Sequence, residues 1–238
     1  MVNFRNIKLG YHWIVTFLDQ QKKEPGNWDQ KSLRQQMIQK QLIGRGISSK
    51  FVLRAMENVP RHLFVPEFSL SDAYEDRPLP IGFDQTISQP YIVALMAELA
   101  ELKPTSKVLE IGTGSGYLAA VLSLLAKKVF TMEHNETLGY GARERLKQLK
   151  FRNVKVGIGQ GYLGWEKYQP FDSILVSAAI DHLPQALVDQ LQPNGTLVIP
   201  LESSNDFQEL VVVKKDGHGL LTQRKVLPVR FVPFMKSE

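Results

Sequence analysis

The chain has 238 residues, 43% of them hydrophobic and 22% charged, which excludes a wholly disordered protein and is enough to bury one good-sized core. It contains no cysteine, which removes disulfide frameworks, thiolate nucleophiles and cysteine-ligated zinc or iron–sulfur clusters. Its 29 Lys and Arg against 24 Asp and Glu leave a formal charge of +5, a modest excess spread along the chain with none of the aromatic-interleaved basic stripes that nucleic-acid binding would need.

Residues 1–28 read as an N-terminal extension and residues 29–238 as one domain. Within the extension, Leu9 to Leu18 is apolar but too short to span a bilayer, and no Ala-x-Ala cleavage site follows it. It reads as a docking helix or loose extension, and Gln20 to Asp29, with Pro25-Gly26, as a linker. Leu33, Met37, Leu42 and Ile43 predict a helix from Asp29 to Ile43, ended by Gly44 and Gly46. Ser48 or Ser49 caps a second short helix, stopped by Pro60. Residues 60–84 carry Pro60, Pro66, Pro78 and Pro80 and read as irregular connecting chain with short extended pieces. Gln89 to Leu102 is helical in its spacing.

Beyond that point, strand and helix patterns alternate. Lys107–Ile111, Lys128–Met132, Val154–Ile158, Phe171–Ser177 and Thr196–Leu201 read as strands, with helices over Tyr117–Ala126, Glu136–Leu149 and Leu183–Leu191 between them. The tail from Gln208 alternates as two strands around a turn at Asp216 to Gly219. The expected fold is α/β: a mostly parallel, doubly wound sheet with antiparallel C-terminal additions and N-terminal helices.

Three segments carry chemistry. In the first, Glu110-Ile111-Gly112-Thr113-Gly114-Ser115-Gly116 joins the first strand of the alternating region to a helix, so backbone can approach a ligand at a helix N-terminus. The spacing is G-x-G-x-G, not the dinucleotide form G-x-G-x-x-G. Glu133 ends the next strand, where a carboxylate accepts from a ribose diol, and Glu110 is placed to receive a cationic group such as an amino terminus. Together they fit S-adenosylmethionine better than a nicotinamide dinucleotide.

In the second segment, Ser88 precedes Gln89-Pro90 and is a natural helix N-cap. Alternatively, the Thr86 and Ser88 hydroxyls and the free helix N–H groups hold a carboxylate. The third, Gly159-Gln160-Gly161-Tyr162, follows the third of these strands. It is either an ordinary turn or the place where Gln160 accepts from an adenine amino group.

Other chemistries lack support. His12, His62, His134, His182 and His218 are scattered without metal-ligand spacing, so no metal site is expected. His62 reads as structural, and there is no P-loop or nucleophile elbow. A base-amino methyltransferase would carry Asn/Asp-Pro-Pro-aromatic where this chain has Ser177-Ala178-Ala179-Ile180-Asp181.

From about Arg34 to Phe234 the chain resembles the protein-L-isoaspartate O-methyltransferases. The resemblance is carried by Val59-Pro60-Arg61-His62-Leu63-Phe64-Val65-Pro66, Leu79-Pro80-Ile81-Gly82, Gln85-Thr86-Ile87-Ser88-Gln89-Pro90, the Val108–Tyr117 glycine segment and Val229-Arg230-Phe231-Val232-Pro233. It implies a Rossmann-like methyltransferase fold, S-adenosylmethionine as donor and the free carboxylate of isoaspartyl residues in damaged proteins as acceptor. The product ester is then expected to collapse to a succinimide.

The resemblance further implies Ser88 as the catalytic serine. It implies Glu110, Gly112, Thr113, Gly114, Ser115, Gly116, Glu133, Gln160 and Gly161 at the cofactor, and Thr86, Ile87, Ser88, Gln89 and Val232 at the substrate. The expected protein is a cytoplasmic monomer with isoaspartyl peptides and proteins as partners, and without nucleic acid or membrane. The alternatives are a carboxylate O-methyltransferase acting on a different peptide, and a non-catalytic binding module. Two positions depart from the family pattern: Gln160 stands where the family usually has Asp, and Phe83-Asp84 where it has a small or polar pair.

Overall fold

The structure is a computed structural model, and it describes residues 29–203 and 207–234. The apolar run and linker read in residues 1–28 lie outside the described residues. The architecture is a seven-stranded sheet of β3 (Lys107–Ile111), β4 (Lys128–Glu133), β5 (Val154–Ile158), β6 (Phe171–Val176), β7 (Leu191–Glu202), β8 (Gln208–Lys215) and β9 (Leu221–Val229). Their order is β5-β4-β3-β6-β7-β8-β9, with β7–β8 and β8–β9 antiparallel and the other pairs parallel. The helices are α1 (Gln30–Gln36), α2 (Lys50–Asn58), α3 (Pro90–Leu99), α4 (Tyr117–Ser123), α5 (Glu136–Gln148) and α6 (Gln185–Gln190). None among the described residues is long and apolar enough to cross a membrane.

Strand alternation divides the core in two. Val108, Val129, Leu175, Val198 and Val212 face a cluster that includes α2, α3 and α4 residues. Leu109, Phe130, Ile174, Leu197 and Val213 face a second cluster with Leu187 and Val188 of α6. The parity that sends Val108 and Val129 to the first face sends Glu110 and Thr131 there too, opposite one another in the β3–β4 register. β3 lies between β4 and β6, where the connections leave in opposite directions, so a crevice opens beyond its carboxyl end.

Several boundaries differ from the sequence expectation. The first helix changes at Met37–Leu42 into a π turn, then into a 3₁₀ turn that ends at Gly46 in the left-handed region. Ser49, not Ser48, caps α2, accepting from the Val52 N–H at 3.4 Å. The helix expected over Leu183–Leu191 is only Gln185–Gln190, because Leu191 already pairs with Phe171 in the sheet. The stretch before α3 is more regular than expected: β1 (Leu79–Gly82) and β2 (Gln85–Ile87) form an antiparallel hairpin.

Ser88 is not the N-cap of α3. Pro90 takes the first helical position, the residue before a proline is pushed out of helical geometry, and Gln89 is therefore the cap, with no side-chain cap bond. The tail strand stops at Val229; the remainder crosses back over the sheet, with Phe234 donating to the Ala179 carbonyl and Ala179 to that of Val232.

Gln190 locks the segment after β5 onto α6. Its Oε1 accepts from the Trp165 N–H at 2.7 Å and its Nε2 donates to the Leu163 carbonyl at 2.7 Å, with the residue 5% exposed. Gln190→Ala should cost about 1–2 kcal/mol in urea unfolding, since two part-buried backbone groups lose their partners. A loss below about 0.5 kcal/mol would show that water replaces both bonds freely.

Candidate active site

One cleft of about 1010 Å³, open to solvent, lies at the carboxyl ends of β3, β4 and β6. The glycine loop forms its floor. Gly112 sits at φ 92°, and a Cβ there would stand 3.3 Å from that of Ser177, so only glycine fits. Arg145 of α5 fixes the loop from behind, donating from Nη1 to the Ser115 carbonyl at 2.6 Å, and burial lowers its pKa to about 10. The hydroxyls of Thr113 and Thr131 pair at 2.6 Å.

Two carboxylates stand side by side. Glu133 is already held, its Oε2 accepting from the Gly114 N–H at 2.7 Å and its Oε1 from that of Asn135 at 3.0 Å. Each oxygen keeps capacity for a further donor. Glu110 is the opposite case. It is 1% exposed, and neither oxygen has a hydrogen-bond partner. Burial pushes its pKa up to about 8; the Glu133 charge adds to this, while the nearby Thr131 hydroxyl and Ala119 amide oppose it. Among the described residues, no Lys or Arg lines the cleft.

Of the residues expected at the cofactor, Glu110, Gly112, Thr113, Gly114, Ser115, Glu133 and Gly161 line the cleft, whereas Gly116 and Gln160 do not. Gln160 is turned to Tyr162, whose hydroxyl donates to its Oε1 at 2.6 Å. Gly161 is there by necessity, since a Cβ would collide with Ile111 Cγ2. Of those expected at the substrate, Thr86, Ile87, Ser88 and Val232 line the cleft. Gln89 does not; its Nε2 donates to the Asp76 carbonyl at 2.9 Å.

His62 is away from the cleft, 2.8 Å from the Tyr74 hydroxyl through Nδ1, and burial together with Arg34 lowers its pKa to about 4. Sequence reasoning missed His134, Asn135, Ser177 and Phe234 as lining residues. The first three follow the ends of β4 and β6, where position at a strand's carboxyl end is itself the signal. Phe234 gives no such signal.

The orphaned Glu110 carboxylate is the test of ligand chemistry: it calls for a buried cation. This is the site of a Rossmann-like, S-adenosylmethionine-dependent methyltransferase. The comparisons narrow the class. The family model for protein-L-isoaspartate(D-aspartate) O-methyltransferase (PCMT) matches residues 32–238, and the chain belongs to that family.

A protein-L-isoaspartate O-methyltransferase 2 of Polaromonas sp. is 51% identical over 190 residues, 80% of this chain and 90% of its own. A protein-L-isoaspartate O-methyltransferase of Synechococcus sp. is 51% identical over 210 residues, 86% of each chain. Among solved structures, a Plasmodium falciparum beta-aspartate methyltransferase (PCMT) in complex with S-adenosyl-L-homocysteine superposes with a TM-score of 0.74 at 30% identity, over 89% of this chain and 100% of that one. A second, a protein-L-isoaspartate O-methyltransferase, gives a TM-score of 0.77 at 30% identity over 84% of this chain, which spans 65% of that longer chain.

Glu110→Gln should weaken S-adenosylhomocysteine binding about tenfold to a hundredfold by calorimetry. It should also change the pH dependence of the ligand-free fold. Burial holds the Glu110 pKa near 8, above the ordinary 4.5 of a glutamate, so the native state holds the extra proton and wild-type stability falls as pH rises from about 4.5 through 8. The variant should lack that decline in thermal melts. Equal affinity together with parallel pH profiles would refute the role given to the orphaned carboxylate.

Proposed function

We propose that the protein transfers a methyl group from S-adenosylmethionine to the free carboxylate of L-isoaspartyl residues in damaged proteins and peptides. The observation that carries this reading is the lining of the cleft. Glu110 and Glu133 line it together with the Thr86 and Ser88 hydroxyls, and among the described residues no Lys or Arg joins them.

S-adenosylmethionine, when bound, supplies an electrophilic methyl on a sulfonium. Glu110 would take the ammonium group of its amino-acid tail, and Glu133 the ribose diol. Gly112, Thr113, Gly114 and Ser115 form the floor, with Gly116 behind it, and Gly161 the wall. Gln160 adjoins this wall, but its side chain is turned to Tyr162 and lies outside the cleft lining, so it is given no contact with the adenine.

The acceptor carboxylate needs no base, because its ordinary pKa of about 4 leaves it ionised at pH 7. Ser88 and Thr86 orient it as neutral donors. An Arg clamp would grip it harder and lower its nucleophilicity. Ser88 is free for this role because Gln89, not Ser88, caps α3. Ile87 and Val232 exclude water beside it, and Gln89 supports the segment through Asp76. A cytoplasmic location accords with a chain free of cysteine.

Ser88→Ala should lower kcat/KM for an isoaspartyl peptide more than tenfold and leave S-adenosylhomocysteine affinity within about twofold. The same assay run with the normal aspartyl twin should give no transfer above background. Equal turnover of the twins would exclude the isoaspartyl assignment, and unchanged turnover in Ser88→Ala would exclude the positioning role.

A further inference from the structure

Phe83 occupies a turn that does not suit it. Gly82 pairs with Gln85 across the β1–β2 hairpin, and the two residues between, Phe83 and Asp84, both have φ of 55°. Two-residue turns with positive φ at both positions favour Asn and Gly, and a bulky aromatic there is an outlier. A register shift between Pro80 and Gly82 adds a bulge, a device that re-aims side chains beside functional sites.

The fold does not explain the phenylalanine either. Phe83 packs into neither hydrophobic cluster and is 49% exposed. It lines the cleft together with Gln85, Thr86 and Ser88, so it forms part of the mouth on the acceptor side. Phe83 precedes Ser88 by five residues, a span of at most about 17 Å at strand rise that the turn at Phe83-Asp84 shortens, within reach of the residues flanking a methylated side chain. Asp84, next to it, is exposed and outside the cleft lining, and its charge disfavours an acidic neighbour there.

We infer that Phe83 is a specificity-determining residue: it packs against the side chain flanking the isoaspartyl residue and selects peptides in which that neighbour is large and apolar. The inference rests on the isoaspartyl reading above. An exposed aromatic beside a polar subsite offers a large apolar contact at little ordering cost, since only two side-chain torsions are fixed.

The test uses two isoaspartyl peptides that differ only in the flanking residue, Leu or Ser, with the full chain as wild type, Phe83→Asn and Phe83→Tyr. Asn tolerates the left-handed region, so the turn should survive, and thermal melts check it. The wild type should favour the Leu peptide about tenfold in kcat/KM, with the difference in KM. Phe83→Asn should bring the ratio to about one, and Phe83→Tyr should keep it. A ratio that persists in Phe83→Asn, or no preference in the wild type, overturns the inference. Methyl transfer without discrimination overturns it alone, whereas no transfer by the wild type to either peptide overturns the isoaspartyl reading and this inference together.

Discussion

The buried carboxylate of Glu110 is the constraint around which the site is organised. A charge with no partner in an apolar interior is costly, and a protein normally avoids it by pairing or by neutralising the group. Here the group sits at the end of the central strand, on the sheet face that elsewhere carries Val108 and Val129, with Glu133 close enough to raise its pKa further. Helices α3 and α4 contribute to the apolar layer on that face, and Arg145 fixes the loop that closes it. The fold meets this cost by keeping the proton on Glu110 up to about pH 8, and the ammonium group of the proposed cofactor would let it ionise.

The same electrostatics bear on the acceptor. Methyl transfer from a sulfonium to a carboxylate neutralises two charges, so the transition state is less polar than the reactants. A cleft with apolar walls and no fixed cation beside the acceptor favours such a step, because it does not stabilise the ionised acceptor more than the transition state. In the proposed reaction, hydroxyl donors at Thr86 and Ser88 would supply direction without that penalty. The absence of a basic clamp from the cleft lining is thus part of the chemistry, in an overall basic chain whose surplus charge lies elsewhere.

The parallel sheet was legible because its strands are continuous apolar runs punctuated by glycine and proline turns, and β3, β5 and β8 match expectation to the residue. The glycine loop and both acidic residues were legible for the same reason, since the motif fixes its own place at a strand end. The β1–β2 hairpin was not, because Phe83-Asp84 lacks the turn chemistry that marks a two-residue loop. The cap of α3 was misplaced by one residue because the proline constraint on Gln89 outweighs the capping preference of Ser88. Gln89 and Gln160 were expected at the site, and neither lines the cleft. Their side chains turn to Asp76 and Tyr162, which local sequence does not reveal.

Phe234 shows the limit of local reading from the other direction. It reaches the cleft only because β9 ends at Val229 and the chain then crosses to form a bridge between Pro233 and Ala179. Its ring comes within 3.4 Å of where a Gly161 side chain would begin, so the absence of a Cβ at residue 161 and the course of the C-terminal segment are two halves of one packing requirement. A larger residue at 161 would push against Ile111 of the central strand and against Phe234 together. The wall of the cleft thus forms only when the antiparallel additions are in place. The floor, by contrast, is set by β3, β4 and the loop between β3 and α4. The floor and its two carboxylates depend on the pairing of β3 with β4, whereas the wall depends on the segment that follows β9.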